Sequence, residues 1–163
     1  MSDDDHRLRR LADRLDLLEL VHRYCLCSDN DRYEELGELF ADDIDFAGTS
    51  GRDEVVAALR RTRAGFGHTI HTPHGLVLDW VDDDHATGIV PTHAELVVAG
   101  VPMVCAMRYH DEYVRERGTW RFARRRIRYA YAVPRAEIAT ALLDDEPVRW
   151  PGAVPKPSQG FWL

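Results

Sequence analysis

Cysteine, lysine and long apolar runs are all scarce in this sequence. Three thiols, Cys25, Cys27 and Cys105, are too few for a disulfide framework, and no Cys-x-x-Cys pair offers a metal or redox site. Cys25 and Cys27 lie in an apolar helical stretch, where thiols serve as small buried hydrophobes. Apolar stretches such as 44–48 and 95–107 are broken by charge, Gly or Pro well short of the ~18 residues that a membrane span needs. The start, Met1-Ser-Asp-Asp-Asp-His-Arg, is acidic where a secretory leader has a basic flank and an apolar core. A cytoplasmic protein with no membrane partner is therefore expected. Lys156 is the only lysine among 21 basic residues, and the formal charge of −7 argues against a nucleic-acid partner despite the run Arg124-Arg125-Arg126.

What is present fits one globular domain. The chain has 163 residues, 45% of them hydrophobic and 30% charged. Between Arg7 and Cys27, Leu8, Leu11, Leu15, Leu18, Val21 and Cys25 follow a three/four spacing that predicts an amphipathic helix. Ser28-Asp29-Asn30-Asp31 interrupts it, and a short second helix is expected over 32–40, then a strand over 42–46. Gly51-Arg-Asp-Glu opens a third helix to about Arg63, with acids in its first turn. Segments 68–80, 86–99, 102–115 and 119–133 read as strands joined by Asp82-Asp-Asp84, Gly100 and Gly118.

Helices first and strands afterwards make an α+β protein: a cone-shaped, curved antiparallel sheet, a four-strand meander, wrapped around three N-terminal helices. Such a sheet leaves a cavity inside. The domain is expected over 1–133, followed by a tail over 134–163 that holds five of the eight prolines. One short helix is expected at 135–143, and the apolar end Phe161-Trp162-Leu163 is expected to cover the cavity mouth or a second subunit.

Tyr24, Ser28-Asp29, Glu38-Leu-Phe-Ala-Asp-Asp43, Thr69-Ile-His71 and Gly118-Thr-Trp-Arg-Phe122, taken in order, resemble the SnoaL-like branch of the nuclear transport factor 2-like superfamily. The resemblance runs from about Leu8 to Tyr131. The relatives it suggests are scytalone dehydratase, bile acid 7α-dehydratase and hexachlorocyclohexane dehydrochlorinase. It implies a His on the first long strand paired with an Asp just after the first helix, positions held here by His71 and Asp29. A Tyr five residues before that Asp, as in the bile-acid enzyme, corresponds to Tyr24. For a second acid on the next strand, Glu95 stands near the right place and His93 competes with it. The Tyr pair that binds water in scytalone dehydratase is replaced by Ser28 and Phe46. A homodimer or homotrimer formed through the outer sheet face is also implied.

The residue chemistry stands beside that resemblance. Neutral imidazole accepts a proton near working pH, and a carboxylate on its other nitrogen would fix the tautomer, so His71 reads as a base and Asp29 as its support. Each has a plainer reading: His71 as one of eight histidines, Asp29 as a cap or turn residue, Tyr24 as core. On the third long strand Met103, Cys105, Met107 and Tyr109 share one parity and are expected to form the cavity wall with Phe46. Arg108, His110 and Glu112 share the other. On the last strand Arg125 shares parity with Ile127, Tyr129 and Tyr131, which places one guanidinium inward to bind substrate, or else on the surface with its two neighbours. His68, His71 and His74 alternate faces, so no metal site is expected, and no cofactor either. The expected activity is a cofactor-independent, dehydratase-type lyase on a small cyclic or polyketide-like apolar substrate. An isomerase or cyclase in the same pocket, or a non-catalytic ligand-binding module, remains the alternative.

Overall fold

The computed structural model describes residues 3–159, so the Phe161-Trp162-Leu163 end lies outside the described residues. Helix α1 spans Asp3–Asp29, with three acids in its first turn where they oppose the helix dipole. It ends where Asp31 takes a left-handed φ of 57° and the Arg32 N–H donates to the Cys27 carbonyl at 2.9 Å. The face turned to the sheet carries Leu17, Leu20, Val21, Tyr24 and Cys25. The expected stripe of Leu8, Leu11 and Leu15 lies instead on the opposite side and is 66%, 56% and 59% exposed. The rotation is set by Asp13, which is buried against the Arg115 guanidinium at 2.6 Å and the Trp120 indole N–H at 3.2 Å.

Helix α2 (Tyr33–Glu38), strand β1 (Phe40–Phe46), the short β2 (Thr49–Ser50) and helix α3 (Arg52–Arg63) follow. The remaining strands are β3 (Phe66–Pro73), β4 (Val77–Trp80), β5 (His85–Val98), β6 (Val101–Glu116) and β7 (Thr119–Pro134). Segment 68–80 is thus two strands rather than one. Pro73 lacks an N–H and Gly75 has a φ of 145°, so the ladder breaks there, although both halves pair with β5. The spatial order is β2-β1-β7-β6-β5-β3, with β4 also on β5. β5, β6 and β7 form the long antiparallel meander. The sheet is nevertheless mixed, because β1 lies parallel to β7, with Phe40 beside Phe122 and Phe46 beside Arg125. That pairing covers part of an edge that would otherwise be open. Further along, the Gln159 N–H donates to the Tyr129 carbonyl at 2.9 Å and the Tyr129 N–H donates to Gln159 Oε1 at 3.2 Å, so the tail returns to β7. The tail begins as a 3-10 helix, Arg135–Leu143, that buries Ala141.

Two irregularities in β7 decide which side chains enter the core. Between the pairs Tyr113–Phe122 and Glu112–Arg124, one extra residue, Ala123, is inserted; between Met107–Tyr129 and Ala106–Tyr131 the extra residue is Ala130. Each bulge reverses the side-chain alternation. Trp120 and Phe122 are buried before the first, Arg125 faces inward after it, and from the second onward the buried positions are Ala130, Ala132 and Val133. Tyr131, expected to share the face of Arg125, is therefore out of step.

Among the described residues no helix is long and apolar enough to cross a membrane. Cys25, Cys27 and Cys105 are buried and unpaired.

Candidate active site

The last residue of α1 and the middle of β3 meet in one hydrogen-bonded unit. His71 Nδ1 lies 2.6 Å from Asp29 Oδ1, the His71 backbone N–H donates to Asp29 Oδ2 at 2.8 Å, and the Thr69 hydroxyl donates to Oδ1 at 2.8 Å. A carboxylate only accepts, so the imidazole proton sits on Nδ1 and the neutral ring presents a bare Nε2. Burial alone would raise the Asp29 carboxyl. The hydrogen bonds from the His71 ring and backbone, with that from Thr69, outweigh it and hold the group below the usual carboxylate value. The carboxylate thus stays ionised into acid, and the stability it contributes is lost only as pH falls through that lowered value. The two side chains are 17% and 15% exposed, shielded from solvent but not sealed.

His71 and Thr69 lie on the wall of a cavity of about 480 Å³. The rest of that wall is mostly apolar: Leu36 from α2, Phe46 from β1, Val55 and Leu59 from α3, Leu96 from β5, Met107 from β6 and Ile127 from β7. Tyr24, Ser28, Tyr109 and Tyr129 add hydroxyls, and Trp150 brings the tail to the wall. Of the residues expected at the site, His71, Tyr24, Phe46, Met107 and Tyr109 line this cavity, while Asp29 stands behind His71. Helix α1 does not end between Tyr24 and Asp29, so they reach different parts of the site.

Glu95 is placed elsewhere. Around this point of β5 the buried residues are Thr92, Ala94 and Leu96, in step with Ala86, Gly88 and Val90 before them, which leaves Glu95 and His93 on the other face. Glu95 pairs there with Arg135 at 3.2 Å, and His93 Nδ1 meets His74 Nε2 at 2.6 Å. Arg125 does enter the interior but does not reach the cavity wall. It is fully buried, its Nε and Nη2 each donate to Asp111 at 2.7 Å, and its guanidinium stacks on Tyr24, Tyr109 and Phe122 at 4.1–4.2 Å. Its neighbours Arg124 and Arg126 pair outside with Glu112 and Asp45. Asp111 was missed, yet it continues the inward parity of Met107 and Tyr109. Thr69 belongs to the Thr69-Ile-His71 motif of the resemblance, but no role was expected for it; it stands two residues before His71, on the same strand face.

The SnoaL-like domain family matches residues 9–126 of the chain. Among solved structures, LinA shares 26% identity at a TM-score of 0.75, covering 81% of this chain and 95% of that one. Hexachlorocyclohexane dehydrochlorinase LinA-type3 from Novosphingobium barchaimii LL02 shares 25% identity at a TM-score of 0.73, covering 81% and 96%. A candidate scytalone dehydratase from Novosphingobium aromaticivorans DSM 12444, at 22% identity, a TM-score of 0.72 and coverage of 77% and 89%, shares the fold. Among curated proteins no match was found. With a family match over most of its length and the fold in common with these structures, the chain belongs to the SnoaL-like domain family of the nuclear transport factor 2-like superfamily.

Proposed function

We propose that the protein is a cofactor-independent lyase in which His71 is the general base. The observation that carries this reading is the 2.6 Å bond between His71 Nδ1 and Asp29 Oδ1 on the wall of a largely apolar cavity. Nε2 removes a proton from a carbon beside an electron-withdrawing group. The C–H electron pair becomes the new double bond, the leaving group departs with its own bonding pair, and Asp29 stabilises the imidazolium. The imidazolium proton then goes to the departing group, so a hydroxide leaves as water. Tyr24 contributes a hydroxyl on the wall, while Arg125 acts from behind Tyr24 and Tyr109 rather than on substrate. The volume and apolar lining suit a small cyclic substrate. The similarity to dehydrochlorinases and to a candidate scytalone dehydratase supports an elimination.

A ligand-binding module would not need the two side chains in contact, and their hydrogen bond favours catalysis over storage. An isomerase would use the same base and return the proton to another carbon. Incubation of the protein in D₂O with cyclic ketones, with and without a β-hydroxyl or β-chloro group, separates these outcomes. The expected result is deuterium uptake beside the carbonyl, and loss of water or chloride only from the β-substituted compounds. Ligands that bind with neither exchange nor elimination would overturn the catalytic reading.

A further inference from the structure

Helix α1 turns a row of leucines away from its own sheet. Leu8, Leu11, Leu15, Leu18, His22 and Leu26 follow one another at steps of three or four, which sets them within an arc of about 80° along about 27 Å of helix. Leu8, Leu11, Leu15 and Leu26 are 56–66% exposed, and Leu18 is half-buried. The four exposed leucines add nothing to the domain's own core, to which α1 gives Leu17, Leu20, Val21, Tyr24 and Cys25. Arg7 and Arg14 border the row on one side, Ala12 and Glu19 on the other. Single exposed leucines are ordinary, but this row leaves roughly 400 Å² of contiguous apolar surface, the size at which a patch marks an interaction site.

We propose that this face docks a second copy of the chain, with the two α1 helices packed antiparallel about a two-fold axis. Reversing the row reproduces it. Leu8 lies opposite Leu26 of the second copy, Leu11 opposite His22 and Leu15 opposite Leu18, and each contact is made twice, as a two-fold axis requires. A parallel pair is opposed by the same row: Asp4, which continues it by one turn, would meet Asp4, His22 would meet His22, and the helix dipoles would align. In the antiparallel pair His22 rests on leucine with its donor satisfied, because Nδ1–H donates to the Leu18 carbonyl at 2.7 Å. The bordering charges stay on the rim with partners of their own. Glu19 is held by Arg23 at 2.8 Å, and Arg14 donates to the Leu76 carbonyl at 3.0 Å. Leucines and borders together bury roughly 1,000 Å² over the two copies, the lower bound for a specific interface. The row faces away from the sheet that α1 covers, so this contact is independent of any pairing through the outer sheet face and of the role of His71.

Sedimentation velocity of the full chain at micromolar concentration tests this, in wild type and in a variant carrying both Leu11→Glu and Leu15→Glu. The wild type should form an assembly whose mass the two glutamates halve, with a dissociation constant raised by about 100-fold or more. Both positions face water in a single copy, so circular dichroism should be unchanged. Orientation is read by cysteine cross-linking, since the native thiols are all buried. Leu8→Cys and Leu26→Cys proteins, mixed and treated with a short bis-maleimide, should link to each other and neither to itself. A mass that the glutamates leave unaltered assigns the row to another occupant, a different protein or the chain's own apolar end, and overturns the proposal. Self-linking of Leu8→Cys overturns the antiparallel arrangement.

Discussion

Substituting alanine for His71 should lower turnover by about 10²–10⁴-fold, the usual worth of a positioned general base, while leaving the melting temperature close to wild type. The fold tolerates the change because His71 lies on the cavity wall and is not part of the hydrophobic core. Asp29 also keeps the backbone N–H of residue 71 and the Thr69 hydroxyl as donors. Asp29→Asn tests the same unit from the other side. An amide preserves shape but can present its NH₂ to the ring, which favours the tautomer with the proton on Nε2 and removes the base. Both variants should lose activity against any substrate that wild type converts, at unchanged circular dichroism. A His71→Ala protein with wild-type turnover would show that the proton is taken by another group.

The second large effect concerns stability. Asp111→Asn should destabilise the protein by about 3–5 kcal/mol, because it strips the counter-ion from a guanidinium with no access to water. For a domain of this size that corresponds to a melting temperature lower by roughly 6–20 °C. Both side chains of the pair are fully buried, and Asp111 meets Arg125 through two parallel 2.7 Å hydrogen bonds. The aromatic faces around Arg125 attract the cation without replacing the carboxylate. Replacing both partners with apolar residues of similar volume, Asp111→Leu with Arg125→Met, should recover most of the loss, since an uncompensated charge costs more than an absent pair. Calorimetry of the single and double variants measures this directly. A single variant as stable as the double would mean that the ion pair is not what Arg125 depends on.

Much of the fold is legible in the sequence because it is written in local periodicity. α2, α3 and the three strands of the meander come from helical spacing, alternation and glycine turns, and the 3-10 helix falls where the short tail helix was expected. Features set by long-range pairing are harder to read. The leucine spacing of α1 marks an amphipathic helix, yet the buried face is the one that brings Asp13 to Arg115 and Trp120, residues a hundred positions away. Nothing local announces that β1 will lie parallel to β7. At the site, His71, Asp29 and Tyr24 are found through the order of residues in the resemblance. Glu95 fails on simple alternation, since Ala94 and Leu96 take the inner face. Arg125 faces inward only between two bulges, which also move Tyr131 off the expected face.

Catalysis by His71 requires Asp29 to hold its imidazole with Nε2 bare toward the cavity. The most direct measurement is an NMR experiment correlating the ring ¹⁵N nuclei of His71 with its carbon-bound protons, in wild type and in Asp29→Asn, at a pH where the ring is neutral. The expected result is an Nδ1–H tautomer in wild type, with a strongly downfield Nδ1 proton that disappears in Asp29→Asn. An Nε2–H tautomer in wild type, or a spectrum unaltered by the substitution, would contradict it.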